Sequence, residues 1–261
     1  MVLSTSSTSP MVLSTSTSFT PDDAIPLWHS RKPAFLQATN SDVDYRRARY
    51  SGRHRRTPTD AFQLFAKRTF DFVTASMALL FFAPLLLGVA IAIKATSSGP
   101  VLFSQWRYGH RNRRFRIYKF RTMYTHLGDR SGTQQTTSND PRITPLGRIL
   151  RNTSLDELPQ LINVVKGDMS LVGPRPHVPG MLAAERRYED LVPYYFHRHA
   201  LRPGITGLAQ VSGCRGSTEQ FDQAIARIDY DLQYIETWSL WLDAKIILKT
   251  CRREFLSGNG I

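Results

Sequence analysis

Cysteine is nearly absent from this chain. Among 261 residues there are two, Cys214 and Cys251, far apart and in no C-x-x-C pair. Neither a disulfide framework nor a zinc site is therefore expected, and a reducing, cytosol-facing location fits. His177, His197 and His199 do not alter this, because together with Cys214 they match no standard ligand spacing. A G-x-G-x-x-G run and a P-loop are also missing, which argues against a doubly wound nucleotide fold. The first 30 residues hold no Lys or Arg, so they lack the basic start of a secretory signal. They are rich in Ser and Thr, repeat Met-Val-Leu-Ser-Thr-Ser at positions 1 and 11, and have too little apolar content to build a core. Disorder is the expectation there. Acid is scarce: 21 Asp and Glu stand against 34 Lys and Arg, a net charge of +13. An anionic partner follows, whether acidic lipid, phosphorylated substrate or nucleic acid.

Residues 31–60 turn basic, with Arg46, Arg47, Arg49, Arg53, Arg55 and Arg56 within eleven positions. Such a patch suits anionic headgroups beside a membrane segment. An apolar run of 22 residues, Phe72 to Ile93, comes next. Straight, it would reach about 33 Å and could span a bilayer. Pro84 interrupts it, removing one N–H and clashing with the carbonyl of Leu80, so the helix is expected to kink or break. The two legs would be roughly 18 Å and 14 Å long, each about half a bilayer core. Lys67 and Arg68 precede the run, and Lys94, Arg107, Arg111, Arg113 and Arg114 follow it. Basic residues on both flanks put both ends on the cytoplasmic side. The expectation is a re-entrant helix-break-helix hairpin over 70–94, with a tail at 1–60 and one domain over 61–261.

The chemistry concentrates in Arg151 to Pro176. Ser154 and Glu157 have the S-x-x-E spacing of a capping box, which predicts a helix start. Leu155, Leu158, Leu161, Ile162 and Val165 follow at helical spacing, and Pro159 is tolerable because it falls near the first turn. Asp156 and Glu157 would then sit at the positive end of a helix. That helix should stop near Gly167. Gly173-Pro174-Arg175-Pro176 should form a stiff turn carrying one guanidinium. Acids in a first turn are most often simple dipole partners. What shifts the balance is their company of Arg148, Arg151 and Arg175, after a membrane segment.

These residues resemble the bacterial sugar transferase family, the monotopic polyprenyl-phosphate phosphoglycosyl transferases. The likeness runs from about Lys67 to the C-terminus and rests on several motifs in one order. They are Lys119-Phe-Arg-Thr-Met123, Asp140-Pro-Arg-Ile-Thr-Pro-Leu-Gly147, Ser154-Leu-Asp-Glu-Leu-Pro-Gln160, Gly173-Pro-Arg-Pro176 and Arg202-Pro-Gly-Ile-Thr-Gly207. The resemblance implies transfer of a sugar 1-phosphate from a UDP-sugar to polyprenyl (undecaprenyl) phosphate, with Mg²⁺ as cofactor. It assigns Asp156 as the nucleophile that carries a covalent sugar-phosphate and contributes to metal binding. Glu157 assists the second half-reaction. Arg175 would hold phosphate and Arg151 would brace the acidic pair, with Lys119 and Arg121 as further phosphate-binding candidates. The implied location is the cytoplasmic face of a bacterial inner membrane, on anionic lipid, with self-association left open and no nucleic acid. Two positions depart from the family pattern: Cys214 intervenes before Arg215, and Ala209 replaces a commonly aromatic residue. The rival reading is a non-enzymatic basic membrane-associated protein binding nucleic acid or acidic partners. It rests on charge alone and leaves 151–176 unexplained.

The fold class expected is α/β, mostly helical: a small cytoplasmic catalytic domain on the hairpin, with interfacial amphipathic helices. Val101–Gln105 and Phe115–Arg121 read as short strands. Residues 125–140 read as a loop, Met181–Tyr188 as a short helix and 193–207 as loop. Phe221, Ile225, Ile228, Leu232 and Ile235 stripe one long helix, and Trp238, Trp241, Leu242, Ile246 and Ile247 belong to another. The tryptophans are candidates for the headgroup level.

Overall fold

The computed structural model describes residues 61–127, 140–183, 185–214, 216 and 221–257. The Ser/Thr-rich tail, the arginine patch at 46–56 and most of the 125–140 loop lie outside them.

A single helix, α1 (Ala61–Thr96, 36 residues), runs through Pro84. The two separate legs expected from the sequence are thus joined in one element of about 54 Å contour. One stripe of it faces the domain: Lys67, Asp71, Ala75 and Ile93 are buried. The rest is apolar and open, with Phe81 at 78 % exposure and Phe62, Phe65, Met77, Leu80, Leu87 and Ile91 also bare. Among the described residues it is the helix long and apolar enough to cross a bilayer. Residues this apolar are not left in water over such a length without a partner surface.

Both ends of α1 are fastened to the domain. Near its start, Lys67 donates to Asp243 at 2.7 Å, Asp71 accepts from Ser170 Oγ at 2.6 Å, and Arg68 donates to the carbonyls of Val164 and Val165. Near its end, Arg121 donates to the carbonyls of Ser97 and Ser98 at 2.8 Å and also reaches the Ile93 carbonyl. The last turn of a helix has carbonyls without helical partners, and a buried guanidinium satisfies several at once.

The two short strands expected from the sequence are present as β1 (Leu102–Tyr108) and β2 (Arg114–Phe120), and they pair as an antiparallel hairpin. Phe115 and Ile117 of β2 join Ala75, Leu161, Val164 and Met169 in one core cluster, and Phe120 joins Ile93 and Leu150 in another. α2 (Pro145–Asn152) starts with Thr144 accepting from Gly147 N at 2.9 Å. α3 (Gln160–Lys166) stops at Gly167, as expected, and its φ of 90° makes it a left-handed C-cap. Asn163 of α3, fully buried, accepts from Tyr118 N and donates to Arg116 O, which ties the helix to β2. Residues 181–188 are not a helix. They form a small hairpin, β4 (Leu182–Ala183) with β5 (Arg186–Arg187), leading into α4 (Tyr188–Leu191). A loose amphipathic pattern over eight residues does not separate the two, because a turn at Glu185 (φ 63°) overrides it.

β3 (Ser170–Val172) and β6 (Gly204–Thr206) pair in parallel and bring two motifs together. Gly204 N donates to Pro174 O at 3.0 Å and Gly173 N to Thr206 O at 2.9 Å. A Cβ on Gly204 would lie 2.1 Å from Gly173 N. Gly204→Ala is therefore expected to destabilise the fold by roughly 1–3 kcal/mol, or more if the strands cannot part. Thermal unfolding reads this directly. An unchanged Tm would mean that the two motifs are not in backbone contact.

A 3-10 turn (Tyr195–Ala200) and α5 (Leu208–Val211) lead to α6 (Phe221–Thr237) and α7 (Leu240–Ser257). Ile225, Ile228, Leu232 and Ile235 of α6 are buried as the stripe predicted. The two tryptophans part company. Trp238 is buried and donates to Asp243, whereas Trp241 is 69 % exposed with Lys245 over its ring. Of the pair, only Trp241 is open to a headgroup region.

Candidate active site

The acidic pair lies in a 3-10 turn, Leu155–Glu157, rather than in the first turn of a regular helix. Ser154 precedes it with φ 53° and makes no side-chain cap, and Pro159 stands at the start of α3. The expected capping box is absent because Glu157 turns to other partners. Its Oε1 accepts from Lys119 Nζ at 2.7 Å and from Arg175 Nη2 at 2.5 Å, and its Oε2 from Arg175 Nη1 at 3.2 Å. Two cations offer a charged acceptor more than one backbone N–H does.

Asp156 is 6 % exposed, and its carboxylate makes no hydrogen bond or ion pair among the described residues. Burial pushes its pKa up, while Lys119, Arg151 and Arg175 act against that rise and Glu157 adds to it. Burial works on Glu157 in the same direction. There the bonded Arg175 and Lys119 overcome it and hold the carboxyl well below its usual range. Adjacent carboxylates thus have different states: one neutralised by two cations, the other unpaired and within their field. An unpaired, desolvated carboxylate facing cations is a suitable nucleophile toward phosphorus.

The other residues singled out in the sequence are distributed unevenly. Arg175 and Lys119 meet at the pair. Arg151 makes no ion pair with either acid; it donates from Nε to Thr122 Oγ1 at 2.9 Å and acts on Asp156 through space. Arg121 is not brought to the site. It is buried at the C-terminal turn of α1, where Nη1 and Nη2 donate to Ser97 and Ser98 and Nε has no partner. In the chain it lies just past Phe120, the last residue of β2. Asp140 of the Asp-Pro-Arg motif pairs with Arg142, which takes its pKa down to about 2.

Sequence reading missed the support under Arg175. Arg198, almost wholly buried, donates to Arg175 O at 2.6 Å and twice to Asp231 Oδ2 of α6. It therefore fixes the backbone that aims the Arg175 guanidinium. The signal was a basic residue among Tyr195, His197 and His199 with an acid on the inward stripe of α6, but nothing in the spacing pairs them. Arg107 of β1 was counted only as a flanking charge, yet it contacts the Pro176 carbonyl beside Arg175. Among the described residues no three His, Cys, Asp or Glu side chains gather into a ready-made metal cage. The predicted dismissal of a His/Cys zinc site does not depend on that.

A domain tied to a long apolar helix, with a carboxylate pair held beside Lys119 and Arg175, describes a membrane-associated group-transfer enzyme. The sequence profile of the bacterial sugar transferase family matches residues 62–257, and the chain belongs to that family. It is 48 % identical over 205 residues to the undecaprenyl-phosphate glucose phosphotransferase of Komagataeibacter xylinus, covering 78 % of this chain and 38 % of that one. It is 52 % identical over 197 residues to the exopolysaccharide production protein PSS of Rhizobium leguminosarum bv. phaseoli, covering 76 % and 98 %. Against the UDP-glucose:undecaprenyl-phosphate glucose-1-phosphate transferase of Escherichia coli (strain K12) the identity is 44 % over 201 residues, covering 77 % and 42 %. The chain thus spans about two fifths of the first and third relatives and almost all of the second.

Proposed function

We propose that this chain transfers a sugar 1-phosphate from a UDP-hexose to polyprenyl phosphate, releasing UMP, as the first membrane step of exopolysaccharide or related glycoconjugate synthesis. The observation that carries it is Asp156: an unpaired buried carboxylate in the field of Lys119, Arg151 and Arg175, next to a Glu157 that is fully paired. The relatives named for UDP-glucose and undecaprenyl phosphate support the substrate pair.

Asp156 attacks the β-phosphorus of the donor. The bond from that phosphorus to the bridging oxygen breaks, UMP leaves with the electron pair, and the sugar phosphate stays on Asp156 as an acyl phosphate. A phosphate oxygen of the lipid then attacks the same phosphorus. The bond to Asp156 breaks, giving the lipid-linked diphosphate sugar and the free carboxylate. Arg175 and Lys119 offset the charge on the phosphoryl oxygens in both steps. Once drawn onto phosphate they leave Glu157 free to take the acceptor's proton.

The donor set fits Mg²⁺ in one mode. Asp156 is the single unpaired carboxylate at the pair, and this ion is commonly held by one or two carboxylates together with substrate phosphates and water. Asp156 would hold it, and the bound ion would neutralise charge on the diphosphate.

The re-entrant topology belongs to the same proposal. Asp71 and Ile93 would lie about 33 Å apart on a straight helix, a full bilayer core. Both ends of that interval are bonded to one domain, so a spanning helix would leave one end in contact with a domain on the wrong side. With basic flanks on both sides, the domain lies on the cytoplasmic face of the inner membrane. Single cysteines at Asp60 and Arg113, with Cys214 and Cys251 replaced, should both label from the cytoplasm. Labelling of position 60 from outside alone would make the segment a true span. The activity itself is tested by a panel of UDP-hexoses with polyprenyl phosphate and Mg²⁺. UMP release with a lipid-linked product is expected, and no release from any donor would overturn the reading.

A further inference from the structure

Arg107 is half-buried and its guanidinium has no counter-ion among the described residues. It shares the inward face of β1 with Gln105, whose Oε1 accepts from its Nη2 at 2.7 Å. Its second contact, Nη1 to the Pro176 carbonyl, is stretched to 3.4 Å. Its Nε is buried and has no partner. Among the described residues no carboxylate forms an ion pair with it. The Pro176 contact locates this charge one residue beyond Arg175, and the two cations oppose each other. Burial first, then Arg175, takes its pKa down to about 10 against weaker support from Glu157. A half-buried cation with no anion beside it is a cost to the folded state. That cost is offset when an anion arrives.

We propose that Arg107 is a further substrate-binding residue, whose guanidinium receives the phosphate that leaves with the nucleotide while Arg175 and Lys119 hold the phosphate that is transferred. The inference rests on the phosphoglycosyl-transfer reading and deepens it. The placement follows from its contacts: Arg107 reaches the carbonyl of Pro176, next to Arg175, and Arg175 and Glu157 are the ionised neighbours that act on it most. A second phosphate that continued past Arg175 would meet it.

The test is UMP binding to the full chain in detergent, by calorimetry, for the parent and for Arg107→Met. UMP affinity should fall at least tenfold. The Tm should not fall, because removing a half-buried uncompensated charge relieves the folded state. Affinity within twofold of the parent overturns the inference. So does weakened binding together with a Tm lowered by 5 °C or more, which would mark Arg107 as a structural brace. Should Arg107→Met fail to fold, Arg107→Gln carries the same comparison with the same criteria. A parent that binds no UMP and releases none from UDP-sugars overturns the functional reading and this inference with it. A parent that does both, with an unaffected Arg107→Met, overturns the inference alone.

Discussion

Asp156→Asn is expected to abolish turnover, by at least about 10³-fold or roughly 4 kcal/mol of barrier, while leaving the protein folded. The substitution keeps the volume of the side chain and removes the charge and the nucleophilic oxygen pair. Because the carboxylate makes no bond to its neighbours, no partner is stranded by the change. Its ionised form is the one that burial penalises, so the neutral amide should hold Tm level or raise it. Incubation with radiolabelled UDP-sugar should trap no sugar-phosphate on the variant. Activity near that of the parent would remove Asp156 as nucleophile. A collapse of Tm would mean that the site is held together by contacts other than those described.

How much of this was legible beforehand depended on how local the physics was. The strands β1 and β2, the stop at Gly167 and the apolar stripe of α6 were all predictable, since strand alternation, a glycine stop and helical spacing are properties of short stretches. The pair Asp156 and Glu157 and their partners Arg175 and Lys119 were also singled out. Their division of labour was not legible, because Glu157 is decided by two cations that arrive from β2 and from the turn after β3. The capping box failed for the same reason: a local backbone donor lost to two distant charged ones. Arg121's partners at the end of α1 were not legible, because no sequence rule places Ser97 beside residue 121. Arg198 and Asp231, 33 positions apart in sequence, had no local sign at all. Their pairing exists only once α6 is packed.

Glu157→Gln is expected to split the two half-reactions. In the resting site this carboxylate occupies Arg175 and Lys119, the two cations a phosphoryl group needs. A donor phosphate must therefore compete with Glu157 for them. The neutral amide competes less well, so UDP, which carries both phosphates, should bind more tightly to Glu157→Gln, on the order of tenfold, about 1.4 kcal/mol. Donor cleavage, read as one equivalent of UMP released without acceptor, should persist. Transfer to polyprenyl phosphate should fall by about 10²-fold or more, because the group that takes the acceptor's proton is gone. The fold should lose roughly 1–3 kcal/mol, since two cations of limited exposure lose their shared anion. Magnitude matters less here than direction: a site residue whose loss tightens nucleotide binding while blocking transfer is a placeholder as well as a base. Equal loss in both half-reactions would contradict the division between the two acids. Weaker UDP binding would show instead that Glu157 holds Arg175 and Lys119 in place for the donor, and that the site is assembled before the substrate arrives.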